Sequence, residues 1–153
     1  MADAVARFVE AAEALGFPVV VKNMDQSTHT ALEAANAVGC EVGAIVKSLI
    51  FEADGSPILI LTSGPNRVDT ALLGQELGVK LGKADANVVK EVTGFSIGGV
   101  PPFGHKSRLK TVIDSDLLRY EKVWAAAGAA TSVFEISPDD LIELSQGVVA
   151  RVC

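Results

Sequence analysis

The chain has 153 residues, of which 49% are hydrophobic and 21% charged. That is material for one ordinary domain, and it excludes a disordered chain, which needs low hydrophobicity and high charge. A net charge of −6 argues against a general nucleic-acid binder, and no apolar run reaches the roughly 18 residues of a membrane span.

In chain order, Val5, Phe8, Val9, Ala12 and Leu15 fall at helical spacing and Gly16 supplies a stop, so 3–15 is a predicted helix. Asp3, Glu10 and Glu13 interrupt any apolar core there, so the stretch does not read as a signal peptide. Residues 17–22 read as a strand and 23–28 as a polar turn. Thr30, with Glu33 three residues on, opens a helix through Val38 that Gly39 ends. Residues 45–53 and 57–62 form a hairpin across Asp54-Gly55-Ser56. Residues 66–77 are predicted helical up to Gly78, and Asp85 caps a further helix through Val92. Residues 96–110 hold Gly98, Gly99, Pro101, Pro102 and Gly104 and suit no regular element. A short strand follows at 111–114, with Asp114 or Ser115 capping a turn of helix. Strands at 122–126 and 132–136 pair across 127–130. Ser137, Pro138 and Asp140 make a helix start, and 148–152 is a last strand. The mixed order, with a hairpin inside it, gives a compact α+β domain over 1–153 rather than a doubly wound parallel sheet.

Charge is uneven. Lys80, Lys83, Lys90, Lys106, Arg108 and Lys110 against Asp85 and Glu91 leave 80–110 at +4 in an otherwise acidic chain. Such a segment forms either a solvated face or a local phosphate-binding patch. Cys40 and Cys153 make no CxxC, which points to reduced thiols and a cytoplasmic protein. His29 and His105 lack partners at metal-ligand spacing, and helix capping accounts for Asp114-x-Asp116 and Asp139-Asp140, so no metal or organic cofactor is indicated.

Two features carry chemistry. Lys47 lies in Ile45-Val46-Lys47-Ser48-Leu49-Ile50-Phe51, where strand alternation puts it on one face with Ile45, Leu49 and Phe51. Its ammonium either snorkels out or enters a wet cleft to meet a phosphate, a carboxylate or a polarised carbonyl. Gly98-Gly99-Val100-Pro101-Pro102 is either a tight surface turn or a loop whose main-chain N–H groups converge on an oxyanion. It is neither a P-loop nor a dinucleotide fingerprint.

Together these features resemble the YbaK/ProX family of free-standing aminoacyl-tRNA deacylases, related to the editing insertion of bacterial prolyl-tRNA synthetase. The resemblance rests on Val46-Lys47-Ser48-Leu49, then Thr93-Gly94-Phe95 through Gly98-Gly99-Val100-Pro101-Pro102-Phe103-Gly104, then Arg108-Leu109 and Thr111-Val112-Ile113-Asp114. Val68-Asp69 and Leu77-Gly78 extend it over most of the chain.

The resemblance implies a mixed, mainly antiparallel, barrel-like sheet flanked by helices. It implies hydrolysis of the ester in mischarged aminoacyl-tRNA, most often tRNA(Pro) carrying cysteine, alanine or another small residue, alone or with prolyl-tRNA synthetase. Lys47 would hold the terminal adenosine or its phosphate, and N–H groups around Gly98 and Gly99 the oxyanion. The attacker would be water, the neighbouring ribose hydroxyl or a substrate thiol. Ser48, Phe95, Val100, Pro101 and Pro102 would bind substrate, with Met24 and Ile45 further candidates for the pocket lining. His105, Lys106 and Arg108 would meet acceptor-stem phosphates. Val100-Pro101-Pro102 departs from the Ser that many members carry before the last Pro, which bears on pocket polarity. The competing readings are a non-catalytic tRNA- or synthetase-binding module and a Schiff-base role for Lys47. Duplex DNA binding conflicts with the net charge.

Overall fold

The computed structural model describes residues 3–24 and 30–153. The predicted turn at 23–28 and His29 fall largely or wholly outside these residues. Each of the five α-helices starts where a short polar side chain accepts from a main-chain N–H three residues on. The pairs are Asp3 with Ala6 for α1 (Ala4–Ala14), Thr30 with Glu33 for α2 (Ala31–Val38), and Asp69 with Leu72 for α3 (Thr70–Leu77). Asp85 with Val88 starts α4 (Ala86–Thr93), and Ser137 with Asp140 starts α5 (Pro138–Ser145). Gly39, Gly78 and Gly94 end α2, α3 and α4 in the left-handed conformation.

The strands form two sheets. β1 (Val21–Asn23), β7 (Ser132–Ile136) and β6 (Val123–Ala129) make an antiparallel three-stranded sheet. The other has the order β4 (Leu81–Lys83), β2 (Val46–Ala53), β3 (Ser56–Ser63), β5 (Lys110–Asp114) and β8 (Val148–Ala150). β2 pairs antiparallel with β3 and β4, while β3–β5 and β5–β8 are parallel. The mixed, mainly antiparallel α+β architecture is therefore as expected, but the strands make two sheets rather than a closed barrel. Among the described residues, one parallel bridge, Ile45 to Trp124, joins sheet to sheet.

β3 is buried on both faces, which explains its unbroken apolar run. Leu59 and Leu61 enter the main core with Phe8, Phe103 and Phe134, whose ring centroids lie 5.0–5.9 Å apart. Ile58 and Ile60 pack on the other side with Leu73 of α3, Val112 and Val152. Gly128 admits α1 against β6: a Cβ there would lie 2.6 Å from the Ala4 carbonyl oxygen, and its φ of +110° accompanies the bulge between Ala126 and Ala129.

Four boundaries differ from the sequence reading. The strand expected at 17–22 is only Val21–Asn23, downstream of Pro18, which has no N–H for a ladder. The helix expected from 66 begins at Thr70, because Asp69 is its cap and the Asn66 amide is engaged elsewhere. β6 runs on to Ala129, so the connection to β7 is shorter than 127–130. β8 stops at Ala150; the Val152 carbonyl instead accepts from Asp69 N–H at 2.7 Å. No helix among the described residues is long and apolar enough to cross a membrane.

Candidate active site

Between the two sheets lies a cleft of about 420 Å³, within the usual size range of small-ligand sites. β2 pairs with β4 at 51–53, and the one strand bridge to the three-stranded sheet among the described residues is at Ile45, just before β2, so residues 46–50 have no ladder partner on that side. Ile45 through Phe51 form one wall, and Trp124, Ala125, Ala126, Ala130 and Val133 the opposite one. Thr30, Ala31 and Ala34 of α2, Lys83, Ala84 and Val89 around α4, and Ile97, Gly98 and Val100 complete it.

Lys47 is half-buried in this wall, and its Nζ donates to the Asn66 carbonyl at 2.6 Å. Asn66 is itself fixed. Its Nδ2 donates to Asp114 Oδ2 at 2.8 Å and to Asp116 Oδ2 at 2.7 Å. Asp114, 1% exposed at the end of β5, also accepts from the Ser63 and Asp116 N–H groups, each at 2.9 Å. It thus caps the 3₁₀ turn Ser115–Arg119, as expected, and anchors the lysine's support as well. Burial lowers the Lys47 pKa from its ordinary value; the Asp114 carboxylate pulls it back upward, and Arg67 pushes it down.

Ser48 also lines the cleft, and its buried hydroxyl has no hydrogen-bond partner. Residues 96–99 form a tight turn closed by Gly99 N–H donating to the Ser96 carbonyl at 2.9 Å. Gly98, with φ +91°, occupies the third position of that turn, where glycine is favoured. A Cβ on Gly99 would lie 2.9 Å from the Gly128 carbonyl oxygen and the Ala129 Cα. The Gly99 N–H is therefore already used within the turn. The Gly98 and Val100 N–H groups have no partner among the described residues, and both residues line the cleft.

The cleft thus gathers Lys47, Ser48, Ile45, Gly98 and Val100 from the sequence-derived set, together with Lys83, Thr30 and Trp124, for which no place in a site was expected. Other candidates lie elsewhere. Phe95 is 3% exposed in the core, with the Arg7 guanidinium 5.0 Å above its ring. Met24, Pro101 and Pro102 do not line the cleft, and the two prolines are buried. His105 Nε2 pairs with the Pro101 carbonyl at 2.6 Å, and burial holds its imidazole below its ordinary pKa. Arg108 donates to Gln146 beside a separate depression that His105 and Pro102 also line. Lys106 faces a third groove with Arg7 and Lys90. The basic segment His105-Lys106-x-Arg108 therefore does not present one continuous face.

No Asp, Glu, His or Cys lines the cleft among the described residues, and no group of three or more metal-ligating side chains occurs among them. The cleft is lined by a lysine and by two residues, Gly98 and Val100, whose main-chain N–H groups have no partner among the described residues, while the Ser48 hydroxyl is closed off behind its wall. That set suits the binding and polarisation of an already activated carbonyl.

Comparison with known proteins agrees with that chemistry. "Uncharacterized protein YwhH" of Bacillus subtilis (strain 168) is 35% identical over 126 residues, covering 82% of this chain and 80% of that protein. The proline–tRNA ligase of Thermoanaerobacter sp. (strain X514) is 29% identical over 94 residues, 60% of this chain but only 16% of the ligase. A crystal structure of a candidate trans-editing enzyme for prolyl tRNA synthetase superposes with a TM-score of 0.94 and 42% identity, covering 99% of this chain and 98% of that one. The model of the aminoacyl-tRNA editing domain matches residues 25–144, from the segment before α2 into α5. With most of its length matched in sequence and nearly all of it in structure, the chain belongs to the aminoacyl-tRNA editing domain family.

Proposed function

We propose that this protein is a trans-acting aminoacyl-tRNA deacylase that hydrolyses tRNA(Pro) mischarged with cysteine, alanine or another small amino acid. The observation that supports the reading is one cleft lined both by Lys47, whose ammonium is hydrogen-bonded to the Asn66 carbonyl, and by Gly98 and Val100, whose N–H groups have no partner among the described residues.

Lys47 would hold the terminal adenosine, or its phosphate, beside the ester. Attack on the ester carbonyl carbon forms a tetrahedral oxyanion, which the Gly98 and Val100 N–H groups would stabilise. Removing one such donor costs roughly 3 kcal/mol in well-studied sites. In this reading the donors would be Gly98 and Val100 rather than Gly98 and Gly99, because the Gly99 N–H closes the turn. Collapse of the intermediate breaks the bond to the ribose oxygen, which takes a proton, and releases the amino acid and the uncharged tRNA. The attacking water would pass its proton to a substrate group or to solvent. The mostly aliphatic walls would suit a small, apolar acyl group.

The test is deacylation of tRNA(Pro) charged separately with alanine, cysteine, serine, threonine and proline, by wild type and by Lys47→Ala. The expected result is selective loss of one non-proline ester, reduced at least a hundredfold in the variant. Stability of every ester would refute the tRNA(Pro) assignment.

A further inference from the structure

Outside the cleft, three basic side chains from distant parts of the chain converge. Arg7 of α1, Lys90 of α4 and Lys106 of the following loop line an open groove with Asn87, Glu91 and Gly94. The arrangement is built rather than incidental. Arg7 Nη2 donates to the Gly94 carbonyl at 3.0 Å, and its guanidinium lies over the Phe95 ring at 5.0 Å. The Lys106 backbone is pinned by its N–H to the Thr93 carbonyl at 3.0 Å. Gly94 leaves the gap: a Cβ there would lie 3.3 Å from Arg7 Nη1 and 3.4 Å from Lys106 Cβ.

Among the described residues the one ion pair is Arg119 with Asp116, so none of these three cations is neutralised by a carboxylate. In a chain of net charge −6, the groove is a local positive field with one acid, Glu91, on its border. All three basic residues are exposed and spread around Gly94, which suits a chain of phosphates better than one enclosed anion.

The groove is coupled to the cleft through α4. Val89 lines the cleft, while Asn87, Lys90 and Glu91 line the groove. The two sites are thus separated by about one helix diameter, roughly 10 Å. Resting on the deacylase reading, we propose that the Arg7–Lys90–Lys106 groove is a docking surface for the phosphodiester backbone of the RNA whose aminoacylated end occupies the cleft. Such contacts fix position and contribute affinity without reading sequence.

The experiment compares Lys90→Glu, the double variant Lys90→Glu/Lys106→Glu, and Lys122→Glu as an equal change of charge outside the groove. Binding of uncharged tRNA is measured across a salt series, and deacylation is measured on whole aminoacyl-tRNA and on an aminoacylated CCA trinucleotide. Lys90→Glu is expected to raise the KM for aminoacyl-tRNA about tenfold and leave the trinucleotide rate within about twofold of wild type. The double variant should bind tRNA with a salt slope shallower by one to two, close to one per lost phosphate contact. Lys122→Glu should do neither. Unchanged tRNA affinity in the double variant, or equal losses with Lys122→Glu, would overturn the proposal. If wild type deacylates neither substrate, the deacylase reading fails, and the binding series still decides whether the groove holds RNA.

Discussion

Lys47 and Asn66 are joined by a hydrogen bond in which the side chain of one meets the main chain of the other, at 2.6 Å. The position of that carbonyl depends in turn on the Asn66 amide, which hangs from Asp114 at the buried end of β5. Asp114 therefore acts on the cleft without lining it.

Asn66→Ala keeps the carbonyl but releases its anchor. The expected outcome is a kcat about tenfold lower, roughly 1.4 kcal/mol, with KM within twofold. The carbonyl favours the charged lysine, so loosening it should also move the alkaline limb of the rate profile to lower pH. A lower rate with the limb unmoved would reduce Asn66 to a purely structural role.

Ser48→Ala separates stability from function. An unpartnered buried hydroxyl is costly, so its removal should leave the melting temperature unchanged or slightly higher. Because that hydroxyl is closed off from the cleft, kcat/KM should stay within about twofold of wild type. A tenfold loss of kcat/KM would instead show that the hydroxyl turns toward the substrate.

The paired glycines should respond differently. Gly99→Ala drives a methyl into the Gly128 carbonyl and should destabilise the fold by about 1–3 kcal/mol. Its kcat should survive below the melting transition, because the Gly99 N–H serves the turn. Gly98→Ala meets only an ordinary contact, with Ala130 Cβ 3.8 Å away, but strains a φ of +91°, at about 1–2 kcal/mol, and should lower kcat by displacing a donor that has no partner among the described residues. Thermal melts and single-turnover rates on both variants check this; matched losses of kcat would count against the assignment of donors.

His105 should make the fold sensitive to acid. Its folded pKa lies below the ordinary 6.5 because burial disfavours the imidazolium. As pH falls through 6.5, the unfolded chain takes up a proton that the folded chain does not, so this contribution to stability is lost on acidification. The wild-type melting temperature should drop more steeply between pH 7 and 5 than that of His105→Gln. Parallel curves would show that His105 titrates alike in both states.

Much of this was legible locally. Thr30, Asp85 and Ser137 announce their helices because a cap is a contact within three residues, and the alternation around Lys47 placed Val46 and Ile50 in the main core and Phe51 on the other side. The errors came from contacts distant in sequence. Asn66 reads as a helix start, yet its side chain bonds residues 48 and 50 positions away. β4 is three residues long, too short for any period to show, and it delivers Lys83 to the cleft. The basic run His105-Lys106-x-Arg108 looked like one surface, but no local rule records that His105 turns inward onto Pro101.

The cleft walls belong to different sheets, and Ile45–Trp124 is the one strand bridge between those sheets among the described residues. A molecule lodged along 46–50 would touch both walls where the backbone leaves a gap, and so would act as a keystone. Occupancy should then be readable without any chemistry, as slowed amide exchange in β2 and β6 together and a higher melting temperature.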